Sequence, residues 1–209
     1  MVRSDKETIG DFGNRTNLSL EDAGAASGLP SVYGLYAKYY AIGDYGKVSS
    51  LSEIDFDRTP DATAVVTSLD FQSSDDPFWT GGPSNKFAAQ FEGHLNVVEA
   101  GLYTLYLKSD DGAVLYIDGE PVINHDGLHR ATEKSVSLDL ESGSHAIEIQ
   151  YYEHRGSQTL VLDWAGPDTN NVRATVGGTS LSLEPIDIAS EGPVVEDPVV
   201  KDPVVEDPV

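Results

Sequence analysis

Apolar and polar residues alternate with a period of two through the middle of the chain. The pattern runs through Phe87-Ala-Ala-Gln-Phe-Glu-Gly-His-Leu-Asn-Val, Tyr103-Thr-Leu-Tyr-Leu-Lys-Ser and Val114-Leu-Tyr-Ile-Asp. It continues in Val136-Ser-Leu-Asp-Leu, His145-Ala-Ile-Glu-Ile-Gln-Tyr-Tyr and Leu160-Val-Leu-Asp-Trp. Alternation with β-branched and aromatic enrichment is the mark of strands buried on one face. Turn signals separate these runs at Glu99-Ala-Gly, Asp110-Asp-Gly, Asp118-Gly-Glu-Pro, Glu141-Ser-Gly-Ser and Arg155-Gly-Ser. Asp118-Gly119, set between two short apolar runs, predicts a two-residue hairpin. No stretch longer than about ten residues offers an amphipathic helix. Strands at such short spacing predict an all-β protein, an antiparallel β-sandwich or barrel-like fold.

The pattern is confined to part of the chain. Residues 1–32 are polar and rich in Gly, Ser, Asn and Asp, and are expected to be a leader that docks on the domain or flanks it. Residues 33–167 hold every aromatic residue except Phe12 and are expected to form the domain itself. A connecting segment is expected over 168–192. From 193 to 209 a Pro-Val-Val-acid unit repeats every five residues. Proline in each unit rules out a helix and a central strand, so this stretch is expected to be an extended linker within a longer, multi-domain protein.

Charge narrows the partners. The formal net charge is −22 and the isoelectric point about 4.2. Nucleic acid needs a positive surface that releases counterions, so it is not expected as a partner. An anionic membrane surface is disfavoured for the same reason. Cysteine is absent, which excludes disulfides, thiolate metal sites and thiol catalysis. No run approaches the roughly 20 apolar residues of a membrane span.

Catalytic motifs are missing. There is no G-x-S-x-G elbow, P-loop, dinucleotide fingerprint, H-E-x-x-H or EF-hand loop. His125 and His129 flank Asp126 in a loop, which reads either as a transition-metal site or as two solvated imidazoles. A glycosidase needs two carboxylates facing one another across a bond, whereas neighbours such as Asp75-Asp76 on an extended chain point to opposite sides. Asp110-Asp111-Gly112 differs in position, because it ends one strand and precedes another. Two adjacent carboxylates at such a turn repel unless a hard, oxygen-seeking cation lies between them. Spacing alone leaves this open against a turn that uses Asp and Gly only for backbone freedom.

The motifs Gly34-Leu-Tyr-Ala-Lys-Tyr-Tyr, Phe91-Glu-Gly-His-Leu, Gly101-Leu-Tyr-Thr-Leu-Tyr-Leu-Lys-Ser-Asp-Asp-Gly-Ala-Val-Leu-Tyr-Ile-Asp-Gly, Ile149-Gln-Tyr-Tyr-Glu and Leu160-Val-Leu-Asp-Trp together resemble the PA-14 domain. That family is shared by the anthrax protective antigen, flocculins, epithelial adhesins, some glycosidases and bacterial surface adhesins. The resemblance covers roughly residues 33–167. It implies a β-sandwich and, in the sugar-binding members, two aspartates joined by a cis peptide. Both hold one calcium (Ca2+), which coordinates two vicinal hydroxyls of a sugar. Asp110 and Asp111 match that pair.

The remaining ligands in such lectins come from a second loop, which corresponds here to Glu153-His154-Arg155-Gly156-Ser157-Gln158. The resemblance thus implies metal ligands at Asp110, Asp111, Arg155, Ser157 and Gln158, partly through main-chain carbonyls. It implies sugar contacts at Asp110, Asp111, His129, Arg130, Glu153, His154, Gly156, Ser157 and Gln158. The flocculin pattern carries an asparagine near the start of this loop, and this chain has none between Gln150 and Thr169. Trp79 is either a further sugar contact or part of the core.

The expected function is therefore a non-enzymatic, calcium-dependent lectin module of an extracellular adhesin, monomeric within a longer chain and binding cell-surface carbohydrate. The alternatives are an accessory module of a secreted glycoside hydrolase, and a spacer or protein-binding domain without a sugar site.

Overall fold

The computed structural model describes residues 33–43, 48–186 and 188. The expected leader over 1–32 and the repeat over 193–209 lie outside the described residues. The strands are β1 (Leu35–Ala41), β2 (Ala62–Val66), β3 (Asp70–Ser74), β4 (Phe87–Val97), β5 (Gly101–Asp110) and β6 (Ala113–Ile117). They continue with β7 (Glu120–His125), β8 (Thr132–Leu140), β9 (Gly143–Glu153), β10 (Gln158–Ala165), β11 (Ala174–Thr175) and β12 (Leu181–Ser182). Helical structure among the described residues is limited to 3-10 turns at Leu51–Glu53, Pro167–Thr169 and Gly178–Ser180. None of the described helices is long and apolar enough to cross a membrane.

The strands form two antiparallel sheets. One has the order β2-β1-β4-β9-β6-β7, with β12 added beside β4. The other has the order β11-β10-β5-β8, with β3 beside β10. Alternation sets which face each strand buries. Along β5, Tyr103, Leu105, Leu107 and Ser109 point inward while their neighbours stay partly exposed. Tyr103, Leu105 and Leu107 join Leu160, Leu162 and Trp164 of β10 and inner residues of β1, β4, β6 and β9 in one core.

The start of β4 breaks the alternation, since Phe87 to Phe91 are all buried. The outer face of that sheet is covered as well. Val48 and Leu51, from the segment ahead of β2, lie in a second cluster with Tyr40, Ala88, Val114 and Tyr152. The hairpin at Asp118-Gly119 joins β6 to β7. Both turn residues have positive φ, 52° and 82°, which suits the twist of a tight hairpin.

The segment after residue 167, expected as a connection, is built into the sandwich as far as β12. β11 pairs with β10 and β12 with β4, while Val176 and Leu181 are fully buried. The core here is sealed by two aliphatic side chains, Val176 just after β11 and Leu181 in β12.

The topology gathers several connections at one end. Residues 75–86, 111–112, 126–131 and 154–157 each carry the chain from one sheet to the other. Strand register places their ends together, pairing Thr159 with Asp110, Ser109 with Thr132, Ala113 with His125, Phe87 with Glu153 and Gln158 with Ser74.

Candidate functional site

Asp110 closes β5, and Asp111 and Gly112 make the crossing to β6. The Asp110–Asp111 peptide bond is cis. Gly112 admits no larger residue, because a Cβ there would lie 2.4 Å from the Tyr152 ring, 2.9 Å from the Gly127 nitrogen and 3.0 Å from Asp126 Oδ1. The Tyr152 N–H donates to the Gly112 carbonyl at 2.9 Å, and the Tyr151 hydroxyl donates to the Asp110 carbonyl. The turn is thus held from β9 on one side and from the 126–131 loop on the other.

Backbone N–H groups fix the two carboxylates. Asp111 Oδ1 accepts from His129 N at 3.1 Å and its Oδ2 from His154 N at 2.9 Å. Asp110 Oδ2 accepts from Ala131 N at 2.8 Å. Burial raises the Asp110 pKa above the ordinary range; the Ala131 N–H partly offsets this and the charge of Asp111 adds to it.

A third carboxylate completes the cluster. Asp110, Asp111 and Glu153 each offer one oxygen, all within 4.8 Å of one another. Glu153 is 0% exposed and neither of its oxygens has a hydrogen-bond partner. Burial, then the charges of Asp111 and Asp110, push its pKa up to about 8. The N–H groups of Asp111 and Arg155 face it and pull the other way, without reaching hydrogen-bond geometry. The hydroxyls of Ser109 and Thr159 and the Gln158 Oε1 are also buried without partners.

Unpaired buried anions are costly unless a cation or proton joins them. Calcium binds oxygen at about 2.3–2.6 Å, so one ion can touch oxygens up to about 5 Å apart. The three carboxylates and the orphaned Glu153 oxygens fit such an ion. Glu153, expected among the sugar contacts, has no exposed surface and lies beside the two aspartates.

The other residues singled out in the sequence divide into two groups. His129 and His154 deliver backbone N–H groups to Asp111. The His129 ring stacks on His125 with centroids 4.0 Å apart, and its Nε2 lies 2.9 Å from the His125 carbonyl. His125 Nε2 is likewise engaged by Thr132, so these imidazoles tie the loop together rather than converge on a metal. Arg130, Arg155 and Gly156 are exposed at the rim.

Ser157 and Gln158 turn toward the 75–86 connection. The Ser157 hydroxyl donates to Asp75, the Gln158 amide to the Asp76 carbonyl, and the Gly156 N–H to Asn85 Oδ1 at 2.7 Å. Asp75 and Asn85 thereby brace the 154–157 loop, a contact that no spacing in the sequence signals. Trp79 stacks on Tyr39 at 5.0 Å and packs against the core, which places it with the core alternative.

Comparison with known proteins agrees with this architecture. Residues 33–176 match the PA14 domain family. The chain is similar to the PA14 sugar-binding domain from an RTX adhesin, with a TM-score of 0.63 and 20% identity over 73% of this chain and 99% of that one. It is also similar to the PA14 domain of the MpAFP antifreeze protein, with a TM-score of 0.64 and 19% identity over 78% of this chain and 97% of that one. The anti-sigma-I factor RsgI3 of Acetivibrio thermocellus is 36% identical over 64 residues, 30% of this chain. The matched stretch spans only 10% of that curated relative. The sandwich, the strand motifs and the family match over most of the chain lead to one conclusion: this chain belongs to the PA14 domain family.

Proposed function

We propose that this domain is a calcium-dependent carbohydrate-binding module, in which Asp110, Asp111 and Glu153 hold one calcium and the ion takes two vicinal hydroxyls of a sugar. The observation that carries this reading is the Glu153 carboxyl, buried beside two aspartates with no hydrogen-bond partner on either oxygen. A bound divalent cation would neutralise the cluster and supply the missing partner.

Calcium takes six to eight oxygen ligands, more than three carboxylates fill with one oxygen each. The remaining positions take water, and a diol replaces two waters at little net gain, so affinity is weak and set by the fit of the diol. Arg130 and Arg155 are exposed on the two loops that brace Asp111, which supports them as the side chains that touch the ring. An acid of raised pKa such as Glu153 suits glycoside hydrolysis in principle. A general acid must reach the leaving oxygen, however, and Glu153 has no exposed surface. A binding role fits better than a catalytic one.

Similarity to a sugar-binding adhesin domain supports placing this module in an extracellular adhesin. The 64-residue match to an anti-sigma-I factor favours a second setting, in which the same sugar site serves as the sensor of a regulatory protein. A glycan array probed in calcium and in chelator tests the site in both settings. Binding in calcium that disappears in chelator is expected. No binding in calcium, or binding indifferent to chelator, overturns the reading.

A further inference from the structure

Asp110 and Asp111 owe part of their orientation to one loop. The 126–131 connection donates the N–H of His129 to Asp111 and that of Ala131 to Asp110. The position of this loop therefore sets where both carboxylates point.

The loop is fastened at its first residue. Asp126 Oδ1 accepts from Gly127 N at 2.8 Å, within the loop, and from Leu51 N at 3.0 Å, outside it. Asp126 Oδ2 accepts from Ser50 Oγ at 2.7 Å. Ser50 and Leu51 belong to the segment that covers the outer face of the seven-stranded sheet. That segment is held there by the buried Leu51 side chain and by the Tyr40 hydroxyl, which donates to the Phe56 carbonyl at 3.0 Å. Asp126 Oδ1 and Gly127 N also close directly on Gly112, next to the aspartate pair.

We infer that Asp126 is a positioning residue for the calcium site: its carboxylate latches the 126–131 loop to the 48–56 segment and so presets Asp110 and Asp111 for the ion. The inference rests on the calcium reading proposed above. Asp126 itself is not among the clustered carboxylates. It acts through main-chain donors, as outer-shell partners do when they orient the ligands of a metal.

The test is calorimetric titration with calcium alone, together with melting in chelator. Asp126→Ala is expected to weaken calcium binding by about tenfold, the usual scale for an outer-shell partner. Asp126→Asn loses the same charge but keeps an oxygen for the Leu51 and Gly127 N–H groups, so it should lose clearly less affinity than Asp126→Ala. Ser50→Ala should lie between Asp126→Asn and wild type. Tyr40→Phe, which loosens the covering segment away from Asp126, should lower calcium affinity less than Asp126→Ala.

Equal affinities for Asp126→Ala and Asp126→Asn would overturn the inference, since geometry separates the two. A lowered melting temperature in chelator with unchanged calcium affinity would reduce Asp126 to a structural residue and overturn it too. If Asp126→Ala does not fold, Ser50→Ala decides, and wild-type affinity there overturns the latch. A wild-type chain that binds no calcium overturns the calcium reading itself and this inference with it. Binding by wild type with no difference among the variants overturns the latch alone.

Discussion

The N–H of His154 is donated to Asp111, 2.9 Å away, and not to the Glu153 carboxyl that precedes it in the chain. Asp111 thus has a backbone donor on each oxygen, from His129 and His154, whereas Glu153 has none. Interior anions are usually satisfied more evenly than this. In the calcium reading proposed above, Glu153 is the carboxyl with the most to gain from a cation.

Asp110→Ala should abolish calcium and sugar binding while leaving the β-sheet circular dichroism spectrum unchanged. In the wild type, calcium at a hundredfold excess over Kd should stabilise the fold by about 2.7 kcal/mol, roughly 5–10 °C in melting temperature for a domain of this size. The variant should show no such shift. A calcium-dependent shift that survives in Asp110→Ala would move the site elsewhere.

Glu153→Gln should have opposite effects in the two conditions. In chelator at neutral pH it removes an acid that must take up a proton on folding, because its pKa is pushed up to about 8, and stability should rise by about 1–2 kcal/mol. In calcium it removes a ligand charge, and affinity should fall. Denaturant unfolding with and without the ion reads both effects, and a loss of stability in chelator would contradict the role given to Glu153.

Gly112→Ala should destabilise the domain by about 2–3 kcal/mol, the upper range for overpacking. The added methyl meets the Tyr152 ring and the backbone of Gly127, neither of which can swing aside freely. Urea unfolding in chelator measures the cost apart from any effect on calcium. Wild-type stability would mean that the turn has room the structure does not show.

His145 supplies a pH effect far from the site. Burial tends to lower its pKa, but hydrogen bonds to Asp118 and Glu141 outweigh that and raise it above 6.5. A raised histidine contributes stability that is fully present below its unfolded pKa and lost as pH rises through the folded one. The pair involves the half-exposed Asp118, so the contribution should stay below about 1 kcal/mol. Wild type should therefore lose more stability than His145→Gln between mildly acidic and mildly alkaline pH. Equal pH profiles would show that the pair contributes nothing.

The strands were legible because each needs only local alternation. The runs at Tyr103, Val114 and Leu160 lie within strands, and Asp118-Gly119 turns between two of them, since a two-residue hairpin depends on the dihedral freedom of those residues alone. The rim strands at Ala174 and Leu181 were not legible, because two residues carry no period. Asp110 and Asp111 stood out through the motif that also carried the family resemblance. Glu153 was noticed only as part of its loop, since a strand end in one sheet does not announce that it faces Asp110 and Asp111.

By itself, the sequence determined the all-β class and singled out the aspartate pair. These follow from side-chain period, turn chemistry and a contiguous motif. Only the tertiary structure decided that the crossings at 111–112, 126–131 and 154–157 meet at one end of the sandwich. It likewise decided that Glu153 closes the cluster and that Asp126 ties it to a segment more than 70 residues away. Those contacts arise where the chain changes sheets, and inter-sheet packing, which no local pattern encodes, sets which crossings become neighbours.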